Sequence, residues 1–322
     1  MEFSIAMKNI LAIFSAAFFA AHCALAVIVY GVSNAGASVD YGGSANAAQL
    51  SVVSVGGSGS AVYLGNGWFI TANHVSVGIG TKVYQNGLFA VVDMVDSQLH
   101  SYNDYSADLK MFHVGDADDL AYLQPVKVDA DILSSVSVSR WNIFGKFSYG
   151  SELLLVGAGY GRASDEDLSA TVVEGSIAAA GVHSGTITLL SKTQKLYGAD
   201  SEPVPYNFLM SMAESKTGRA QALLRDSGAG MFYYKDGDWY LLGTVVSVDS
   251  TESQTCSTFG AYTTSSADYS AYSRTFAIDL SEFSDKINEI AATGSEVPEP
   301  ASAAAMLAAA ALAAALALRR TR

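Results

Sequence analysis

Asp226-Ser227-Gly228-Ala229-Gly230 places an acid and a hydroxyl between two apolar pairs, Leu223-Leu224 and Met231-Phe232, with only small residues after the hydroxyl. Two chemistries fit. Asp, Ser and Gly are ordinary residues of a tight turn. Equally, Gly228 and Gly230 allow a reactive hydroxyl to project where a substrate reaches it. A nucleophilic serine needs a base beside it and an acid to orient that base. The candidate bases are His74, His100, His113 and His183. His74 ends the run Gly67-Trp68-Phe69-Ile70-Thr71-Ala72-Asn73-His74, an apolar strand running into small and polar residues, so its ring is expected at a strand terminus facing a cleft. His100 lies in a polar run, His113 inside the strand Met111 to Val114, and His183 in a turn, Gly181 to Gly185. The candidate acid is Asp108 in Ser106-Ala107-Asp108-Leu109, where an aspartate opens an apolar strand. Such a residue either forms a turn or accepts an imidazole N–H.

The elements that must position these residues are short strands separated by Gly, Asn, Asp and Ser clusters. The pattern predicts strands over Gln49–Val55, Ala61–Leu64, Trp68–Ala72, Lys82–Tyr84, Leu88–Val95, Leu109–Val114, Leu153–Val156, Thr171–Ile177, Thr186–Leu190, Phe208–Met212, Met231–Tyr234 and Trp239–Val248. Asn66-Gly67 marks a tight hairpin, because both central residues of that turn take positive φ. Strands at this spacing indicate an all-β sandwich or barrel. One helix is expected near the end of the fold, with Leu280, Phe283, Ile287 and Ile290 on one face and Ser281 as its cap.

Taken in order, these stretches resemble the chymotrypsin/trypsin-like serine peptidases. Ile70-Thr71-Ala72-Asn73-His74 is similar to the family's T-A-A-H segment, Ala107-Asp108-Leu109 to D-[IL]-A-L, and Asp226-Ser227-Gly228-Ala229-Gly230 to G-D-S-G-G. Leu153 to Gly161 resembles the strand opening the second barrel, and Leu241 to Ser247 the strand lining the substrate cleft. The resemblance covers roughly Val27 to Ile290. It implies two packed antiparallel β-barrels with a short C-terminal helix, and a serine endopeptidase acting on protein or peptide substrates. Ser227 is then the nucleophile, His74 the general base and Asp108 the residue that fixes the His74 tautomer. The backbone N–H groups of Arg225 and Ser227 form the oxyanion hole, and Gln221 forms the base of the primary specificity pocket. The N-terminal amine of Val27 pairs with Asp226.

The chain departs from the family's pattern in places. Arg225 stands where the family has glycine, and Gln221 lacks the negative charge that selects Arg or Lys. Cleavage after Ala26 leaves Val27-Ile28-Val29-Tyr30-Gly31, similar to the family's I-V-G-G terminus but one residue longer when aligned on Ile28. Cleavage therefore falls after Val27, or the pocket accepts Val27. With Arg225 in that place, the alternative reading is a catalytically weak or inactive surface binding module that keeps the fold.

The ends of the 322-residue chain read differently from its middle. Residues 1–26 carry Lys8, an apolar stretch from Ile10 to Ala21 and Ala24-Leu25-Ala26, the pattern of a secretory signal removed by signal peptidase. Val297-Pro298-Glu299-Pro300 precedes the uncharged stretch Ala301 to Leu318 and then Arg319-Arg320. That order resembles the PEP-CTERM sorting tail of Gram-negative bacteria. It implies export to the cell envelope, surface or exterior, processing by an exosortase near Pro300 with release or attachment at the cell surface, and contact with the membrane through the C-terminal segment. The expected organisation is a signal peptide at 1–26, a first barrel at 27–128, a connection at 129–150, a second barrel with its helix at 151–293, and a linker with sorting tail at 294–322.

Several classes are excluded. A formal net charge of −13 disfavours nucleic acid as a partner. Gly157-Ala158-Gly159-Tyr160-Gly161 has no helical face after it and so is no nucleotide fingerprint. Asp116, Asp118 and Asp119 lack calcium-loop spacing. No cofactor or metal is expected, and Cys256 sits in a polar context as a bystander thiol.

Overall fold

The structure is a computed structural model that describes residues 27–29, 51–85, 88–96, 99, 106–115, 122–141, 146–159, 161–162, 177–178, 182–196, 204–212, 219–222, 226–248 and 274–293. The two terminal segments, Arg225 and Cys256 lie outside these residues. So does the predicted strand Thr171–Ile177, apart from its last residue. Among the described residues no helix is long and apolar enough to cross a membrane.

The chain begins with β1 (Ile28–Val29) and continues into β2 (Val52–Val55), β3 (Gly59–Gly65), β4 (Trp68–Thr71), β5 (Lys82–Gln85), β6 (Leu88–Asp96) and β7 (Lys110–Val114). Strands β2 to β7 close into an antiparallel barrel in the order β2-β3-β4-β7-β6-β5. A short hairpin follows, β8 (Arg140–Trp141) with β9 (Phe147–Ser148). The second half contains β10 (Glu152–Gly157), the small pair β11 (Gly161–Arg162) and β12 (Ile177–Ala178), β13 (His183–Gln194), β14 (Phe208–Met212), β15 (Ala220–Gln221), β16 (Gly230–Lys235), β17 (Asp238–Val248) and β18 (Arg274–Asp279). Six of these form a second closed barrel, β10-β13-β14-β18-β17-β16. Strand β1 pairs with β15, Ile28 opposite Gln221. The chain ends in a 3-10 turn, Leu280–Phe283, and helix α1 (Ser284–Ala292).

Strand periodicity explains the core. In β4 all four residues are buried, because alternate side chains enter two different cores. Phe69 points into the first barrel, where it stacks on Phe112 from the paired strand at 5.3 Å and 5°. Trp68 and Ile70 point outward, into a shared core with Met111, Leu154, Val156, Phe232, Leu241 and the helix residues Ile287 and Ile290. That shared core fuses the barrels. Removing Phe69 to Ala is worth about 3–5 kcal/mol on the usual scale of buried aromatic deletions.

Three sequence expectations need correction. His183 does not sit in a turn but opens β13, where six consecutive pairings with β10 override the turn propensity of Ser184 and Gly185. Strand β18 was not expected at all. The cap of the final helical segment is Asp279, whose carboxylate accepts from Ser281 N–H at 2.9 Å, so Ser281 is capped rather than capping. The Asn66-Gly67 hairpin is present, with φ of 51° and 80°.

Candidate active site

Strand β4 ends at Thr71, and the chain turns through Ala72 to Val75, whose N–H donates to Ala72 carbonyl at 3.1 Å. The turn leaves His74 exposed at the end of the first barrel. Strand β7 is the partner of β4, with Lys110 opposite Thr71, so the residues just before β7 arrive beside that turn. Asp108 there accepts twice from His74. One oxygen takes the backbone N–H at 2.9 Å, and the other faces Nδ1 at 2.6 Å. A carboxylate can only accept, so the proton rests on Nδ1 and the lone pair of Nε2 points the other way. It points at Ser227 Oγ, 2.6 Å distant. The structure therefore brings His74, Asp108 and Ser227 together, two from the first barrel and one from the second. His100 lies outside the described residues. His113 is buried on the barrel wall against Asp93, and His183 is buried in the second barrel.

The Ser227 turn is fixed by its backbone. Ala229 N–H donates to Asp226 carbonyl at 2.8 Å, and Gly228 N–H to Val245 carbonyl at 2.7 Å. Gly228 has φ of +89°, and a Cβ there would run into Ser60 carbonyl and Thr71 Oγ1. Ser60, wholly buried in β3, clamps the turn from the first barrel: its N–H donates to Ser227 carbonyl at 2.8 Å. Its carbonyl accepts from Thr71 Oγ1 at 2.6 Å and its Oγ from Ala158 N–H at 2.7 Å. Thr71, Ser60, Ser227 and Ala158 thus form one hydrogen-bonded chain across the barrel junction. Sequence reasoning missed Ser60 and also Tyr206, whose hydroxyl accepts from Asp108 N–H at 3.4 Å. Neither carried a local signal, because both act through partners distant in sequence.

Asp226, next to the serine, is fully buried. Its carboxylate oxygens lie 3.1 and 3.2 Å from Val27 N, and one accepts from Gly159 N–H at 3.1 Å. A Cβ on Gly157 would lie 2.8 Å from the same carboxylate, so this pocket demands glycine. Val27 is buried with φ of +28°, a left-handed conformation that costs a β-branched residue about 1–3 kcal/mol. Gln221 is 1% exposed, and its side-chain amide makes no hydrogen bond among the described residues. Arg225 lies outside the described residues.

Two antiparallel six-stranded barrels, with a histidine and aspartate from one meeting a serine from the other, define a trypsin-like fold. Among solved structures the chain is similar to the Rv3671c protease in its inactive form, at 16% identity and a TM-score of 0.42, over 77% of this chain and 92% of that one. It is likewise similar to an inactive serine-to-alanine mutant of Rv3671c from M. tuberculosis H37Rv, at 15% identity and a TM-score of 0.42, over 79% of this chain and 92% of that one. No protein-family model and no curated protein sequence matches the chain.

Proposed function

We propose that the protein is a serine endopeptidase that cleaves peptide bonds through an acyl-enzyme on Ser227. The observation that carries this reading is the double contact of His74, 2.6 Å to Asp108 and 2.6 Å to Ser227. In that geometry Nε2 takes the hydroxyl proton as Oγ attacks the carbonyl carbon. The same nitrogen returns the proton to the leaving amine, and Asp108 stabilises the imidazolium between the two steps. The developing oxyanion falls to the backbone N–H groups of Ser227 and Arg225, and the first substrate side chain reaches toward Gln221.

The export reading belongs to this proposal and is supported by sequence alone: the Ala24-Leu25-Ala26 cleavage pattern and the V-P-E-P, apolar, Arg-Arg order of the tail. Signal peptidase and an exosortase are then its processing enzymes, and the envelope of a Gram-negative cell its location.

Incubation with a fluorophosphonate is the test. Ser227 should become covalently labelled, and Ser227→Ala or His74→Ala should lower turnover of a peptide ester by roughly 10⁴-fold or more while leaving the melting temperature unchanged. Normal ester turnover by Ser227→Ala would overturn the mechanism. A folded protein that neither labels nor turns over would instead be a binding module.

A further inference from the structure

The turn that carries His74 is gripped by a second side chain besides Asp108. Lys110, the first residue of β7, is half-buried, and its ammonium donates to Val75 carbonyl at 3.2 Å. Val75 itself is buried, against the face of Gly59, where a Cβ would lie 2.7 Å from its Cγ2. The turn is therefore closed on three sides. Its start is tied by Val75 N–H to Ala72 carbonyl, its middle by Asp108 to His74 N–H and Nδ1, and its end by Lys110 to Val75 carbonyl.

We infer that Lys110 is a positioning residue for His74, holding the Val75–Ser76 peptide at the end of the turn so that Nδ1 stays on Asp108 and Nε2 on Ser227. The inference rests on the peptidase reading for its consequence in turnover but not for its geometry. Three features make Lys110 more than a surface cation. It bonds a carbonyl rather than a carboxylate, so a single fixed distance sets the turn. It stands two residues from Asp108, close enough for the Asp108 charge to act on its ammonium. Burial nonetheless pushes the Lys110 pKa below its usual value, with the Asp108 charge opposing that shift. A half-buried ammonium that accepts this desolvation is held in place by its bond to the Val75 carbonyl. No other described cation bonds the turn.

The experiment compares Lys110→Met, which keeps the stem and removes the charge and donor, with Lys110→Arg, which keeps both. The first readout is the downfield proton resonance of His74 Nδ1–H in the purified protein, which reports its bond to Asp108 with or without activity. The second is ester turnover. Lys110→Met should lose the protected resonance through faster exchange. Its kcat should fall about 10- to 100-fold, the scale of a small displacement of a reacting group, with KM and melting temperature held. Lys110→Arg should keep the resonance and recover most of the turnover. A sharp, protected resonance in Lys110→Met would overturn the inference. So would a loss that follows a lowered melting temperature or that Lys110→Arg shares. If the resonance responds as expected but the parent protein turns over no ester, the positioning role stands and the peptidase reading falls. If the parent is active and Lys110→Met is equally fast, the reverse holds.

Discussion

At the scale of single residues, the site rests on one carbon that is absent. Gly228 follows Ser227 with φ of +89°, and the space a Cβ would need is taken by Ser60 carbonyl and Thr71 Oγ1. Those two groups cannot retreat cheaply. Thr71 Oγ1 is bonded to Ser60 carbonyl, and Ser60 N–H holds Ser227 carbonyl. Gly228→Ala should therefore push the serine turn off the first barrel, lowering turnover by at least roughly 100-fold, and should also lower the melting temperature. Ser227→Ala would share only the first effect, so thermal denaturation separates a displaced turn from a missing nucleophile. An unchanged melting temperature in Gly228→Ala would mean that the clamp is not rigid. The triad was legible in the sequence because each member is a side chain with its own chemistry inside a short motif. Ser60 was not, because what it contributes at the nucleophile is a backbone N–H that any residue carries.

At the scale of elements, β1 and the pocket around Asp226 meet at Val27. Strand β1 is held by two pairings with β15, and the amide that precedes it reaches a fully buried carboxylate. In the uncut chain that nitrogen carries a single N–H shared between two oxygens, and Val27 is held at φ of +28°. Cleavage after Ala26 would remove the preceding carbonyl, which is the source of the steric strain at positive φ. It would also turn the amide into an ammonium with three donors. A protein beginning at Val27 should be more active than one with a few extra residues, because losing one member of a buried ion pair costs about 3–5 kcal/mol. An α-amine titrates near pH 8, and pairing with a carboxylate raises that value in the folded state. The stabilisation is then fully present below about pH 8 and lost as pH rises through the raised value. Ester turnover against pH for the two forms is the check; identical activity and an identical alkaline limit would mean that the terminus plays no such part. Most strands were legible as short apolar runs bounded by turn residues. Strand β18 was missed because both of its faces are buried, Phe276 and Ile278 in the shared core and Ala277 in the barrel. The polar residues Thr275 and Asp279 are themselves buried, and the stretch runs directly into the helical pattern.

At the scale of the whole molecule, each barrel closes by pairing strands far apart in sequence, and no local stretch encodes that closure. Strand spacing alone left sandwich and barrel open, and it was the order of the motifs that implied two barrels. The shared core explains why that order matters: it is built from β2, β3, β4 and β7 on one side and from β10, β14, β16, β17, β18 and α1 on the other. Helix α1 is tied back to the first barrel by Asn66 Nδ2 and Trp68 Nε1, each 2.8 Å from a carbonyl at the helix end, Ala291 and Thr293. Stability is therefore shared across the molecule, and a defect deep in one barrel should register as a global melting event. His183 provides such a defect on demand. It opens β13 opposite Gly157, is 4% exposed, and its Nδ1 has no hydrogen-bond partner among the described residues. Burial pushes its pKa below the ordinary 6.5. A depressed value means that the unfolded chain takes up the proton first as pH falls. The stability contributed by the neutral ring is thus complete above 6.5 and is lost as pH drops from there through the folded-state value. Melting temperature should fall between about pH 7.5 and about pH 5, and His183→Leu should show a smaller fall over the same interval whatever its stability at neutral pH. Equal falls in the two proteins would place the acid sensitivity elsewhere.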